Sequence, residues 1–229
     1  MLEDLRTEVL EANLELVRRG LVIYTFGNAS GVSREHGMVV IKPSGVPYDK
    51  MTPADMVIAD LNGNLVEGKL RPSSDLATHA ALYRAWPSIG GVVHTHSRHA
   101  TAWAQAGREI PCFGTTHADY FHGPVPVTEP LSAAEIEGEY EANTGTAILR
   151  RMEGLDPLGC PACLVAGHGP FCWGKSVTDA AHSAVIAEEL AAIAWITVTI
   201  NPDAKPISRT LRDKHHFRKH GPSATYGQT

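Results

Sequence analysis

The chain has 229 residues, 43% of them hydrophobic and 20% charged, with a formal net charge of -5 and a pI near 6.2. That length suffices for a full core, and no linker, charge block or internal repeat divides it, so a single domain over 1–229 is expected. The negative balance removes the global positive field on which binding to nucleic acid or anionic membrane depends, leaving small molecules or sister subunits as partners.

The opening Met1-Leu2-Glu3-Asp4-Leu5-Arg6 has no basic region followed by an apolar core, so a cytoplasmic protein is expected. Leu2, Leu5, Val9, Leu16 and Val17 recur at near-helical spacing and Gly20 follows Arg18-Arg19, which predicts an amphipathic helix with a glycine stop. Leu21 to Phe26, Met38 to Ile41 and Met56 to Val66 are β-rich runs separated by turn residues such as Asn62-Gly63 and read as antiparallel hairpins. Ser73 or Ser74 can cap a helix running to Trp86; the apolar strand Gly90-Gly91-Val92-Val93-His94-Thr95-His96 and a helix from Ser97 to Ala106 follow. Ser132-Ala133-Ala134-Glu135 is a capping box opening another helix. A strand at Cys163 to Ala166 then leads through Phe171-Cys172-Trp173 to an Ala-rich helix from Thr178 to Ile200. Its last 11 residues, Leu190 to Ile200, are strongly apolar but shorter than the roughly 20 a bilayer crossing needs, and read as the buried end of that helix. The sum is an α/β single-domain layered fold, with a central mixed, largely antiparallel sheet flanked by helices.

The densest chemical signal is His94-x-His96. On a strand the two imidazoles share a face with alpha carbons roughly 6.6 Å apart, close enough to converge on one metal ion. Alone the pair is weak, because the chain holds 12 histidines and strand histidines are commonly surface or satisfied core residues. Asp75 upstream and His168 downstream, each where an ordered element meets a turn, would complete three imidazoles and a carboxylate, a coordination set for a divalent transition metal. Lys42-Pro43-Ser44-Gly45 and Ser73-Ser74 offer a cation, hydroxyls and backbone N–H groups; each alone is an ordinary turn or cap, but together they suggest an anion pocket one residue from Asp75. A competing metal reading is a knuckle of Cys160, Cys163, His168 and Cys172, opposed by the apolar strand between its members. Four cysteines are otherwise too few to staple a domain of this size and are read as reduced thiols. His117-Ala118-Asp119-Tyr120 and Tyr226 supply acid/base groups that spacing alone cannot bring to the metal.

Taken in order, Thr25-Phe26-Gly27-Asn28, Ile41-Lys42-Pro43-Ser44-Gly45, Pro72-Ser73-Ser74-Asp75, His94-Thr95-His96-Ser97, Gly114 to Tyr120, His168-Gly169-Pro170 and Asp213-Lys214-His215 resemble the L-ribulose-5-phosphate 4-epimerase family of the class II aldolase and adducin-like group. The resemblance runs from Met1 to Gln228. It implies zinc on His94, His96 and His168 with Asp75 close by, manganese or cobalt serving as substitutes, and a substrate phosphate held by Asn28, Lys42, Ser44, Gly45, Ser73 and Ser74. It makes Thr115, Thr116 and Glu141 accessory polar residues. It also implies a cyclic homotetramer whose active sites straddle subunit boundaries, with His215, Arg218 and Tyr226 supplied by the neighbour. The implied reaction inverts C4 of a phosphorylated ketopentose by retro-aldol cleavage and re-addition, with Asp119 and Tyr226 transferring protons on opposite faces. Two rivals share the pattern: a sugar-phosphate aldolase of the L-fuculose 1-phosphate type, which places a glutamate where this chain has Asp75, and a non-catalytic adducin-like interaction protein, which the three retained histidines oppose. The chain departs from the family pattern at Gly167, where a serine is expected, and at Thr225, where a second tyrosine is common.

Overall fold

The computed structural model describes residues 2–220 and 224–225. Helix α1 (Glu3–Arg18) ends as its apolar spacing predicts, with Gly20 in the left-handed region at φ 69 and the Gly20 and Leu21 amides bonded back into the last turn. Strands β1 (Asn28–Ser33), β2 (Met38–Ile41), β3 (Val57–Asp60) and β4 (Leu65–Glu67) follow, then helix α2 (Leu76–Ala85), strand β5 (Gly91–His94) and helix α3 (Arg98–Gln105). Short helices α4 (Thr115–Ala118) and α5 (Ala133–Glu137) precede α6 (Tyr140–Arg151), and β6 (Ala162–Val165) and β7 (Gly169–Gly174) lead to α7 (Val177–Ile200) and α8 (Arg209–Lys219). The strands form one sheet in the order β4-β3-β2-β1-β5-β7-β6, and each pairing between them is antiparallel. The parallel element is a lone bridge, Val127 to Leu164, at the β6 edge.

Alternation along β1 assigns the two faces of the sheet. Ser30 points to α2, where its hydroxyl meets His79 Nδ1 at 2.7 Å and the Tyr83 phenol at 2.8 Å. Gly31 points to α1 and α7. Gly31, Gly91 and Gly174 lie side by side on β1, β5 and β7. A Cβ on Gly31 would sit 2.5 Å from Val177 Cγ2, one on Gly91 2.5 Å from Val177 Cα, and one on Gly174 2.4 Å from Asp179 Cβ. This glycine row lets the first turn of α7 lie directly on the sheet, burying Val177, Ala180, Ala181 and Ala184. Gly91→Ala sets a methyl group against immovable helix backbone, so it is expected to cost about 3 kcal/mol and lower the thermal midpoint by several degrees, as followed by circular dichroism.

Four expectations need correction. The Leu21–Phe26 run is not a strand: Leu21 is buried, but Tyr24 takes φ 53 and Ile23, Tyr24 and Phe26 are exposed. The strand is the small and polar stretch after it, Asn28–Ser33, buried between α2 and the α1–α7 layer. Helix α2 starts one residue late, with Asp75 rather than a serine at its N-cap, which leaves Ser73 and Ser74 outside the helix. The end of α7 is exposed, with Trp195 at 55% and Ile200 at 79% accessibility, although the helix reaches the predicted Ile200. By length and composition α7 could cross a membrane, yet it packs against β5, β7, α1 and α3.

Candidate metal centre and substrate cavity

Strand β5 ends at His94, so His96 lies just past the strand rather than on it. The rings still converge: centroids lie 4.9 Å apart for His94 and His96, 4.7 Å for His94 and His168, and 5.0 Å for His96 and His168. One ligand atom from each of the three lies within 4.8 Å of the others. His168 arrives on the β6–β7 turn, where Gly167 takes φ 72, a conformation glycine adopts without strain. Asp75, at the start of α2, does not belong to that group of three; its carboxylate accepts a 2.6 Å hydrogen bond from Asn28 Nδ2.

The trio fits a metal ion. His94 is buried, and burial holds its pKa well below the ordinary imidazole value, so the ring is neutral. Its Nδ1 lies 3.0 Å from the Pro170 carbonyl, an acceptor that fixes the hydrogen on Nδ1 and leaves the Nε2 lone pair for a ligand bond. Phe171, directly across from His94 on β7, stacks on its ring at 4.2 Å and sets its plane. Three imidazoles with a carboxylate nearby make a donor set suited to a divalent transition metal.

The same histidines line a cavity of about 380 Å³ together with Asn28, Lys42, Ser44, Gly45, Ser73, Ser74, Asp75, Tyr140 and Glu141. Two polar loops meet there because the Ser44 amide bonds to the Arg71 carbonyl at 2.9 Å and the Ser73 amide to the Lys42 carbonyl at 3.0 Å, with Pro43 bridging Pro72. Lys42 is 2% exposed, its ammonium bonded to the Pro43 carbonyl and placed 4.8 Å over the Tyr48 ring. Burial lowers its pKa to about 8. A buried ammonium held by a carbonyl and a ring, beside hydroxyls and a glycine at φ 69, is built to accept an anion. Asn28 Oδ1 is buried without a hydrogen-bond partner, a second polar atom awaiting a ligand group.

Thr115, Thr116, Asp119, His215 and Arg218 do not line this cavity. They gather where α8 packs on α4. Asp119 is buried there, its Oδ1 3.0 Å from His215 Nδ1, with Arg218 Nη2 3.0 Å and Lys219 Nζ 3.4 Å from its Oδ2. Burial works against the Asp119 charge, but Arg218, His215 and Lys219 outweigh it and hold the carboxyl below its usual range. Tyr226 lies outside the described residues. Sequence reasoning missed Lys219, which falls in a charged stretch without apolar period, and Tyr140, whose adjacency to Glu141 was the available signal.

The cysteine knuckle does not form: among the described residues the three-ligand group contains no cysteine, and Cys160, Cys163 and Cys172 are free and buried. Burial pushes the Cys160 thiol up to about 12, far from the thiolate a metal requires. Cys160→Ser should therefore leave bound metal, measured by elemental analysis, and turnover unchanged.

The Class II Aldolase and Adducin N-terminal domain family profile matches residues 7–195. The L-ribulose-5-phosphate 4-epimerases UlaF of Salmonella paratyphi A and Salmonella typhi are each 56% identical over 227 residues, covering 99% of this chain and 100% of theirs. Among solved structures, an L-fuculose 1-phosphate aldolase superposes with a TM-score of 0.81 at 26% identity, covering 94% of this chain and 95% of its own. YgbL of Klebsiella pneumoniae, a putative aldolase/epimerase/decarboxylase, has the same fold, with a TM-score of 0.74 at 24% identity over 94% of this chain and 100% of its own. These matches, over a fold that carries the histidine trio and the polar cavity, place the chain in the class II aldolase and adducin family.

Proposed function

We propose that the chain is a cytoplasmic, zinc-dependent epimerase that interconverts L-ribulose 5-phosphate and D-xylulose 5-phosphate at C4. The observation that carries this reading is the convergence of three neutral-capable imidazoles and a buried Lys42 in one cavity, which suits a phosphorylated polyol better than either site would alone. The two full-length relatives support the choice of substrate, and Asp75 stands where the aldolases of the group carry a longer glutamate.

C4 of such a sugar has no acidic C–H, so inversion requires breaking a bond to that carbon, and retro-aldol cleavage between C3 and C4 does so. His94, His96 and His168 would hold a divalent metal, which when bound would supply Lewis-acid stabilisation of charge developing on substrate oxygens; zinc would suit the donor set, with manganese or cobalt as substitutes. Lys42, Ser44, Gly45, Ser73 and Ser74 hold the phosphate, so the glycolaldehyde phosphate stays in the cavity while its aldehyde rotates. Glu141 orients the hydroxyls, and Asn28, expected at the phosphate, joins it there, because its Nδ2 already donates to Asp75 and its unpartnered Oδ1 can accept from a hydroxyl but not from a phosphate oxygen. Asp119 and Tyr226 exchange the proton of the C4 oxygen from opposite faces.

Asp119 is tied to His215 and Arg218 within its own chain but does not line its own chain's cavity. In this reading the cluster, with Thr115, Thr116 and Tyr226, acts as a unit on the cavity of an adjacent copy, and the enzyme is a cyclic homotetramer with its sites at subunit boundaries.

The test is NMR product analysis after mixing the zinc-loaded protein with L-ribulose 5-phosphate. Appearance of D-xylulose 5-phosphate with little free aldehyde is expected. Accumulation of cleavage fragments would instead favour an aldolase, and an unchanged substrate would remove the substrate assignment.

The pH profile gives a second check. The Lys42 cation is lost as pH rises through about 8, so kcat/KM for the phosphorylated substrate should fall above that pH. The bound phosphate stabilises the ammonium, so kcat should hold to higher pH. Lys42→Met is expected to raise KM by about 10- to 100-fold and to abolish this alkaline limb.

A further inference from the structure

Two of the three histidines make a hydrogen bond outside the trio. His94 Nδ1 meets the Pro170 carbonyl at 3.0 Å, whereas His168 Nδ1 meets the phenol oxygen of Tyr140 at 3.3 Å. A neutral imidazole that ligates a metal through Nε2 carries its hydrogen on Nδ1, and that hydrogen needs an acceptor. A carbonyl can only accept, so His94 is committed to this tautomer by the backbone. A phenol can donate or accept, so for His168 the direction is set by which nitrogen binds the metal.

We propose that Tyr140 is a positioning residue for His168: its phenol oxygen accepts the His168 Nδ1–H and fixes the tautomer and ring orientation in which Nε2 ligates the metal.

Tyr140 is well placed to do so. It is the first residue of α6, which packs along α2, the helix that begins at Asp75. Its backbone is pinned at both ends, the amide bonded to the Gly138 carbonyl at 3.0 Å and the carbonyl accepting from Thr144 Oγ1 at 2.9 Å. The phenol lines the cavity itself. The inference rests on the metal reading of the trio and not on which sugar phosphate is turned over.

The experiment compares the full-length protein with Tyr140→Phe, which removes one oxygen and leaves the ring. Zinc affinity is measured by competition with a chromogenic chelator, and the imidazole N–H resonances of the zinc-loaded protein are followed by NMR. The variant is expected to bind zinc about tenfold or more weakly, with the melting temperature of the metal-free protein unchanged. The His168 Nδ1–H resonance should shift or be lost to exchange, while that of His94, bonded to Pro170, persists as an internal control. Equal zinc affinity in both proteins, or an unmoved His168 resonance, would overturn the role given to Tyr140. Failure of the unsubstituted protein to bind zinc would overturn the metal reading itself, and the two failures are distinct.

Discussion

His96→Asn is expected to abolish turnover of L-ribulose 5-phosphate, by at least about 10³-fold, while the protein melts at the temperature of the unsubstituted metal-free chain. The two halves of this result have separate causes. His96 lies just past the end of β5, is solvent-exposed, and contributes little burial to the core. Its ring contacts are with His94, His168 and Phe26. Removing it therefore takes one of three nitrogen donors from the metal and leaves packing untouched. An amide is a weak donor for a borderline metal, and two imidazoles alone do not hold one against water. His94 would be a poorer choice, because its ring stacks on Phe171 and bonds Pro170, so its loss confounds metal binding with stability. The measurements are steady-state rate, metal content by elemental analysis, and thermal melting. Retained metal with unchanged rate would remove His96 from the site.

That site was largely readable from the sequence because its ligands come from local patterns: a histidine pair two residues apart at a strand end, a histidine in a hairpin turn, and serines before a helix. The sheet that carries them was less readable. Strand β1 has the sequence Asn-Ala-Ser-Gly-Val-Ser, which lacks the branched and aromatic residues that mark strands. Its composition answers tertiary demands instead. Asn28 holds Asp75, Ser30 bonds His79 and Tyr83, and Gly31 makes room for Val177. The neighbouring Leu21–Phe26 run has the expected apolar content but no partner strand, and its side chains are largely exposed. Helix α8 escaped notice for the opposite reason: of Arg209–Lys219 only His216 is buried, so no apolar period marks it. The gathering of Asp119 with His215 and Arg218, separated by 96 and 99 positions, is a tertiary fact that no spacing rule could supply.

Asp119→Asn is expected to lower kcat by about 10²- to 10⁴-fold, the range for loss of a general acid or base, with zinc content unchanged. The sign of its pKa shift defines its role. Arg218, His215 and Lys219 hold the carboxyl below its usual range, against the opposing effect of burial, so it is ionised at neutral pH and starts as the base. Activity should therefore persist down to the lower edge of the carboxylate range, and the acid limb belonging to this group should vanish in the amide variant. A subunit-mixing experiment then tests whether Asp119 acts across a boundary. His96→Asn and Asp119→Asn proteins, each inactive as a pure assembly, are dissociated, mixed in equal amounts and reassembled. In a closed ring where every site combines one subunit's metal with its neighbour's Asp119, random mixing leaves roughly a quarter of the sites with both parts intact. Recovery of roughly a quarter of the unsubstituted rate is the expected result. If both parts of a site came from one chain, every subunit in the mixture would carry a defect and no activity would return.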